Sequence, residues 1–153
     1  RPLCLHLPEK HLATIRRRQG LERACREAGI DPDTLDHAYL EFGDEHYRDM
    51  PALLLAHIRD GKPQFDAVIC GNDRIAFMVY QTLLAQGLRI PQDVAVMGYD
   101  NMVGIGDLFV PPLSTVQLPH YEIGRLSALH IINQHTHKDT VRVESPLLLR
   151  ESL

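Results

Sequence analysis

Four absences in this sequence each close off a class of function. No apolar run approaches the roughly 18–20 residues that a membrane-spanning helix needs, and no basic segment followed by an apolar one opens the chain as a secretory signal would. The 16 Lys and Arg residues are dispersed and outnumbered by 20 Asp and Glu, for a formal net charge of −4. A duplex-binding face gathers its cations, so this segment is not expected to touch nucleic acid itself. Cysteine is scarce: Cys4, Cys25 and Cys70 are an odd number without metal-ligand spacing. Cys4 and Cys70 sit in strand-like runs where a free thiol packs as a small hydrophobe. A reducing cytoplasm is the simplest compartment, and no metal or cofactor is expected. There is also no nucleophile elbow or phosphate loop. "GIGDLF" (104–109) lacks the third glycine of a dinucleotide fingerprint and opens no clear helix.

What is present is a chain of 153 residues, 44% hydrophobic, enough for one soluble domain with a real core. It begins at Arg1 rather than Met and reads as a piece of something larger. "PLCLHL" (2–7) is strand-like. Residues 10–28 then place Leu12, Ile15, Leu21, Ala24 and Cys25 at helical steps, closed by Gly29 and Pro32. "HAYLEF" (37–42) is a second strand, 50–59 a second helix, and "DAVIC" (66–70) a third strand. The helix at 73–86 carries Ile75, Ala76, Val79, Tyr80, Leu83 and Leu84 on one face. "VAVMGYD" (94–100) is a fourth strand. After the irregular stretch 101–119, "STVQL" is a short strand leading into an amphipathic helix at 120–134, and "VRVESPLLLR" is the last strand. Strand–helix repetition of this kind predicts an α/β domain, a mainly parallel open sheet with helices on both faces.

In such a sheet, ligands sit beyond the carboxyl ends of the strands. The polar clusters that fall there are Asp44, Glu45 and His46; Asn72 and Asp73; Asp100 and Asn101; and Gln117. Arg17 joins them because its helix starts at the first strand's carboxyl end. Carboxylates, carboxamides and one guanidinium suit a neutral, hydroxyl-rich ligand, since each can pair with adjacent hydroxyls that both donate and accept. Each residue also has a plainer use. Asn72 or Asp73 can cap the third helix, Asp100-Asn101 can be a turn pair, "RRR" (16–18) a solvated face, and Asp44 to His46 a polar loop. Asp44, Asp100 and Asp107 offer the paired carboxylates of glycoside hydrolysis, but they serve as easily as hydrogen-bond acceptors. "HTHK" (135–138) reads as a solvated loop rather than a metal site.

In order along the chain, "FDAVICGNDRIAF" (65–77), "GLRIPQDVAVMGYDN" (87–101), "PPLSTVQLP" (111–119), "IGRLSALHII" (123–132) and "PLLLRES" (146–152) resemble the carboxyl-terminal half of the ligand-binding core of LacI/GalR-family sugar repressors. "GKPQFDAVICGNDR" (61–74) and "LFVPPLSTVQLPH" (108–120) are most similar to its sucrose-responsive members. The resemblance implies a periplasmic-binding-protein-like fold of two α/β subdomains. Residues 1–117 and 140–153 would build the second subdomain, and the helix at 120–134 would belong to the missing first one. It also implies sugar contacts from Arg17, three residues before Gly20, and from Asn72 and Asp100, with Asp73 starting and capping the helix. Gln117 lies one residue before the family's position for a sugar-touching glutamine, and Glu45 and His46 stand where an aromatic wall residue is usual.

The partners implied are a small sugar inducer, sucrose or a relative, operator DNA through an amino-terminal domain outside this chain, and a second copy in a homodimer. Phe77, Met78 and Tyr80 are placed at that interface. No enzymatic activity, cofactor or membrane association is implied. A periplasmic or extracellular sugar-binding protein of the same fold is the rival reading. The apolar face of the 120–134 helix (Ile123, Leu126, Leu129 and Ile132) is expected to be paired, swapped or disordered without its partner subdomain. Its folding back onto residues 1–117 would overturn the domain division.

Overall fold

The computed structural model describes residues 1–41, 47–103, 105, 108–133 and 140–153. In chain order the elements are β1 (Pro2–His6), α1 (Leu12–Glu27), β2 (Asp36–Tyr39), α2 (Met50–Leu55), β3 (Ile58–Arg59), β4 (Lys62–Pro63), β5 (Ala67–Cys70), α3 (Asp73–Ala85), β6 (Ala95–Asp100), β7 (Ser114–Gln117), α4 (His120–Ile132) and β8 (Leu147–Leu148). Six strands pair in the order β2-β1-β5-β6-β7-β8. Every pairing in that sheet is parallel except β7 with β8.

The period of two along each strand sorts side chains between two faces. Leu3 and Leu5 of β1, Val68 and Cys70 of β5 and Val96 of β6 point one way, into a core shared with Met50 and Leu54 of α2 and Ile75, Val79 and Leu83 of α3. Cys4 and Ile69 point the other way and meet Leu21 and Cys25 of α1. α1 therefore covers one face while α2 and α3 cover the other. All three cysteines are free and buried, packed as small apolar groups.

Three expectations are corrected. The second helix stops at Leu55, and residues 58–63 form a tight hairpin instead. The reason is the Asp60-Gly61 pair, both at positive φ (50° and 71°), which is the backbone that a two-residue hairpin turn demands. The last strand is confined to Leu147–Leu148 rather than running from 141 to 150. Beyond it, the Ser152 hydroxyl donates to the Val96 carbonyl (2.7 Å) and accepts from the Ser114 amide (2.8 Å), pinning the chain end beneath β6 and β7. Leu12 and Ile15, although in helical register with the buried face, are exposed, because the first turn of α1 turns Thr14 inward instead.

α4 forms as a helix, and none of its residues is buried. It does not fold back onto the sheet: Ile123, Leu129 and Ile132 remain exposed.

One close approach sets the spacing between α3 and the sheet. A Cβ on Gly98 would collide with the Asp73 carboxylate and come within 2.8 Å of Leu113 Cδ2. Gly98→Ala is expected to cost about 2–3 kcal/mol, the upper range for overpacking, read as a lower urea midpoint with an unchanged slope.

Candidate functional site

The strand β5 runs out at Cys70, and the chain turns through Gly71 into α3. Asn72 is extended (φ −160°), and its Oδ1 accepts from the Ile75 amide at 2.9 Å, so Asn72 is the helix cap. This corrects the assignment of the cap to Asp73. An N-cap side chain must reach back from extended backbone to the third helical amide, and Asp73 is already helical. Asp73 is instead fully buried. Its carboxylate accepts from Thr115 Oγ1 of β7 (2.8 Å) and from the Met102 amide (2.9 Å). Asn72 Nδ2 donates to the Tyr47 hydroxyl at 2.9 Å. A carboxamide has two N–H groups and two lone pairs, so half of its hydrogen-bonding capacity is left after the cap and the Tyr47 bond.

Arg17 reaches the same edge from α1. Its guanidinium lies 3.6 Å over the Tyr99 ring, Nη1 donates to the Gly71 carbonyl, and Nη2 is 3.8 Å from Asp100 Oδ1. One side chain thus joins the ends of β5 and β6. Asp100 itself adopts φ +121°, and Asn101 follows at φ +48°. Positive φ at a non-glycine residue costs energy and is held only where surrounding contacts enforce it. Here the Asn101 side chain accepts from Arg150 (3.0 Å) and the Asp100 carbonyl accepts from the Leu118 amide (3.3 Å). Gln117 pairs with Asp100 in the β6–β7 register and is exposed.

Burial raises the Asp100 carboxyl above its ordinary range. The nearby Arg17 cation opposes this, and the Asp73 carboxylate adds to it.

The structure therefore brings Arg17, Asn72, Asp100 and Gln117 to one sheet edge. Asp44, Glu45, His46, Asp107 and the 135–138 tract lie outside the described residues. Tyr80 is corrected: it is 3% exposed within this chain, with its hydroxyl donating to the Pro111 carbonyl (3.0 Å) and its ring edge-on to Phe109. α3 turns that position toward the core, so Tyr80 packs beneath the groove rather than standing on its surface. Phe77 is half-exposed and Met78 partly buried.

Two cavities flank this edge. One, of about 400 Å³, is bordered by His6, Thr14, Arg17, Gly71 and Tyr99. Among the described residues, the Thr14 hydroxyl is buried and without a hydrogen-bond partner. The other, of about 730 Å³, is lined by Phe77, Met78, Leu84, Leu108, Phe109 and Val110. The second cavity's apolar lining suits a protein surface, while the first is mostly apolar with Arg17, His6 and Thr14 as polar groups at its border.

Tyr99 and His6 escaped the sequence reading. Alternation along β6 places Tyr99 on the α1 face with Met97, opposite Arg17, and that signal was available. His6 donates to or accepts from His37 (Nε2 to Nδ1, 2.8 Å) and stacks on Tyr39, a pairing that depends on strand order.

Because the folded pKa of Asp100 lies above the ordinary 3.8, the folded state holds its proton more tightly than the unfolded chain does. Ionisation of Asp100 therefore costs stability. That cost is absent below pH 3.8, grows as pH rises to the raised value, and is constant above it. Asp100→Asn is expected to be more stable than the parent at pH 7, with the advantage shrinking toward pH 4. Urea unfolding at several pH values measures this, and a gap independent of pH contradicts it.

Residues 1–151 match the family described as periplasmic binding proteins and sugar binding domain of LacI family. The sucrose operon repressor of Escherichia coli is 57% identical over 149 residues, covering 97% of this chain and 45% of the relative. A LacI family transcriptional regulator from Silicibacter pomeroyi superposes with a TM-score of 0.81 at 25% identity, over 99% of this chain and 55% of that one. A regulator from Enterococcus faecium with bound ribose gives 0.78 at 26%, over 98% and 55%. The chain thus spans less than half the length of the curated relative it matches.

Proposed function

The chain belongs to the LacI-type family of periplasmic binding proteins and sugar-binding domains, and from that premise we propose that it is the effector-binding and dimerisation region of a sugar-responsive transcriptional repressor. Sucrose or a related sugar is the inducer. The observation that carries the reading is Arg17, whose guanidinium spans Gly71 and Asp100 beside Asn72 at the carboxyl edge of the sheet. Guanidinium, carboxylate and carboxamide meet at that edge, beside a cavity bordered by Arg17 and Tyr99, and such a combination pairs with vicinal hydroxyls and stacks against a sugar ring. The 57% identity to a sucrose operon repressor supports both the sugar and the regulatory role over a periplasmic receptor of the same fold. It likewise supports a non-enzymatic protein working in the cytoplasm, where operator DNA is found.

In this reading residues 1–117 and 140–153 form one subdomain, and α4 packs in a second subdomain contributed by other parts of the full protein. Glu45, His46 and Gln117 are proposed as further sugar contacts. Sugar favours one arrangement of the two subdomains and operator DNA the other, so each weakens the binding of the other, by a coupling of about 1–3 kcal/mol. The apolar groove along Phe77, Met78 and Leu84 is the homodimer surface.

Asn72→Ala in the full-length protein is expected to abolish sugar-induced release of operator DNA while leaving operator binding intact. Loss of the cap should lower stability by about 1 kcal/mol. Asn72→Ser restores the cap without the carboxamide and should also fail to respond. Calorimetric titration with sucrose, fructose and ribose reads binding directly, and unchanged sucrose affinity in both variants removes Asn72 from the site.

Leu84→Glu places a charge in the groove, and sedimentation should show the dimer shifting to monomer. A dimer of undiminished affinity would locate the interface elsewhere.

A further inference from the structure

β1 carries Cys4 and His6 two residues apart, on the face that looks toward α1. Parallel pairing sets Cys4 beside His37 of β2 and His6 beside Tyr39. Cys4 and His6 are buried and His37 is partly so. The three ligand atoms, one sulfur and two imidazole nitrogens, all lie within 4.8 Å of one another. We infer that Cys4, His6 and His37 form a binding site for Zn²⁺, a site separate from the proposed sugar contacts Arg17, Asn72 and Asp100.

The distances fit a tetrahedral ion with a small adjustment. Zn–N bonds of about 2.0–2.1 Å at the tetrahedral angle set the nitrogens about 3.3–3.4 Å apart, and a Zn–S bond of about 2.3 Å sets sulfur and nitrogen about 3.6 Å apart. In the ion-free cluster His6 Nε2 and His37 Nδ1 share a hydrogen bond of 2.8 Å. The imidazoles therefore need to part by about half an ångström for the ion to replace the shared proton. One imidazole moves to its other tautomer, the Cys4 thiol gives its proton to solvent, and thiolate sulfur and two neutral nitrogens donate to the ion. Two imidazoles and a thiolate with no oxygen donor suit Zn²⁺ and discriminate against Mg²⁺ and Ca²⁺. Among the described residues no fourth ligand joins the group, which leaves one position for water.

The surroundings hold the rings in place. Tyr39 stacks on His6 with centroids 4.9 Å apart, and its hydroxyl accepts from Arg18 Nη1 at 2.8 Å. Arg18 opposes a cation, while the carboxylates of Glu22 and Asp36 also act on the cluster and favour one. An ion here would clamp β1 to β2 at their carboxyl ends. His6 also borders the Arg17 cavity, so the clamp would fix one wall of that cavity.

The test is titration of the chelator-treated full-length protein with Co²⁺, whose spectrum reports thiolate ligation and tetrahedral geometry. One equivalent is expected to bind, with a sulfur-to-metal charge-transfer band, and Zn²⁺ should displace it. Cys4→Ser should lose that band, and His37→Gln, at a partly exposed position, should weaken Co²⁺ binding at least tenfold. Circular dichroism checks that each variant folds; should Cys4→Ser not fold, His37→Gln alone decides. Absence of the band in the parent protein, its persistence in folded Cys4→Ser, or unchanged affinity in His37→Gln overturns the site. Sucrose titration of the same His37→Gln protein separates this outcome from the sugar reading, because His37 is outside the sugar cavity.

Discussion

Asp73 is fully buried, and its carboxylate accepts hydrogen bonds from the Thr115 hydroxyl and the Met102 amide. A buried carboxylate is tolerated only when charge-stabilising donors surround it. Here two donors and the amino-terminal end of α3, whose dipole favours an anion, perform that role. The bonds join α3, β7 and the segment following β6, next to Asn72 at the start of α3, Gln117 at the end of β7 and Asp100 at the end of β6. Gly98 has no side chain because the Asp73 carboxylate and Leu113 fill the space above it. Deleting the carboxylate would leave a buried hydroxyl without its acceptor.

The same charge shapes its neighbour. Asp73 is one cause of the raised Asp100 pKa, after burial, and Arg17 works against both. Arg17 is therefore placed where a cation relieves a crowded pair of carboxylates, and its remaining contacts, to the Tyr99 ring and the Gly71 carbonyl, fix its plane. A ligand that hydrogen-bonds this cluster meets groups already oriented, so little side-chain entropy remains to be lost on binding. The positive φ at Asp100 belongs to the same arrangement. It turns the chain end of β6 so that the residues on either side serve different partners.

Among the described residues, exposed apolar side chains include those of the groove beside Phe77 and Leu84 and of α4. For a chain that spans under half of its curated relative, such surfaces fit contacts made within a larger assembly. They are distinct in kind. The groove is concave and continuous with the core, while α4 stands as a helix with no buried residue.

The amino-acid pattern by itself determined the strand–helix alternation, the parallel sheet and the two-faced core, since period-two and period-3.6 apolar spacing reports directly which side of an element is dry. It also placed Asn72 and Asp100 at strand ends, because glycine and polar pairs interrupt the apolar runs there, whereas Arg17 was singled out by the family resemblance. The tertiary structure decided the rest. Whether Asn72 or Asp73 caps α3 depends on which of the two has extended backbone, and Asp73 turned inward because Thr115 and Met102, dozens of residues away, supply its donors. Tyr80 went to the core because Pro111 and Phe109 meet it there. The meeting of Cys4, His6 and His37 followed from the register of two strands separated by a helix. Register is a long-range property, set by how whole faces bury against each other, and no local spacing in the sequence records it.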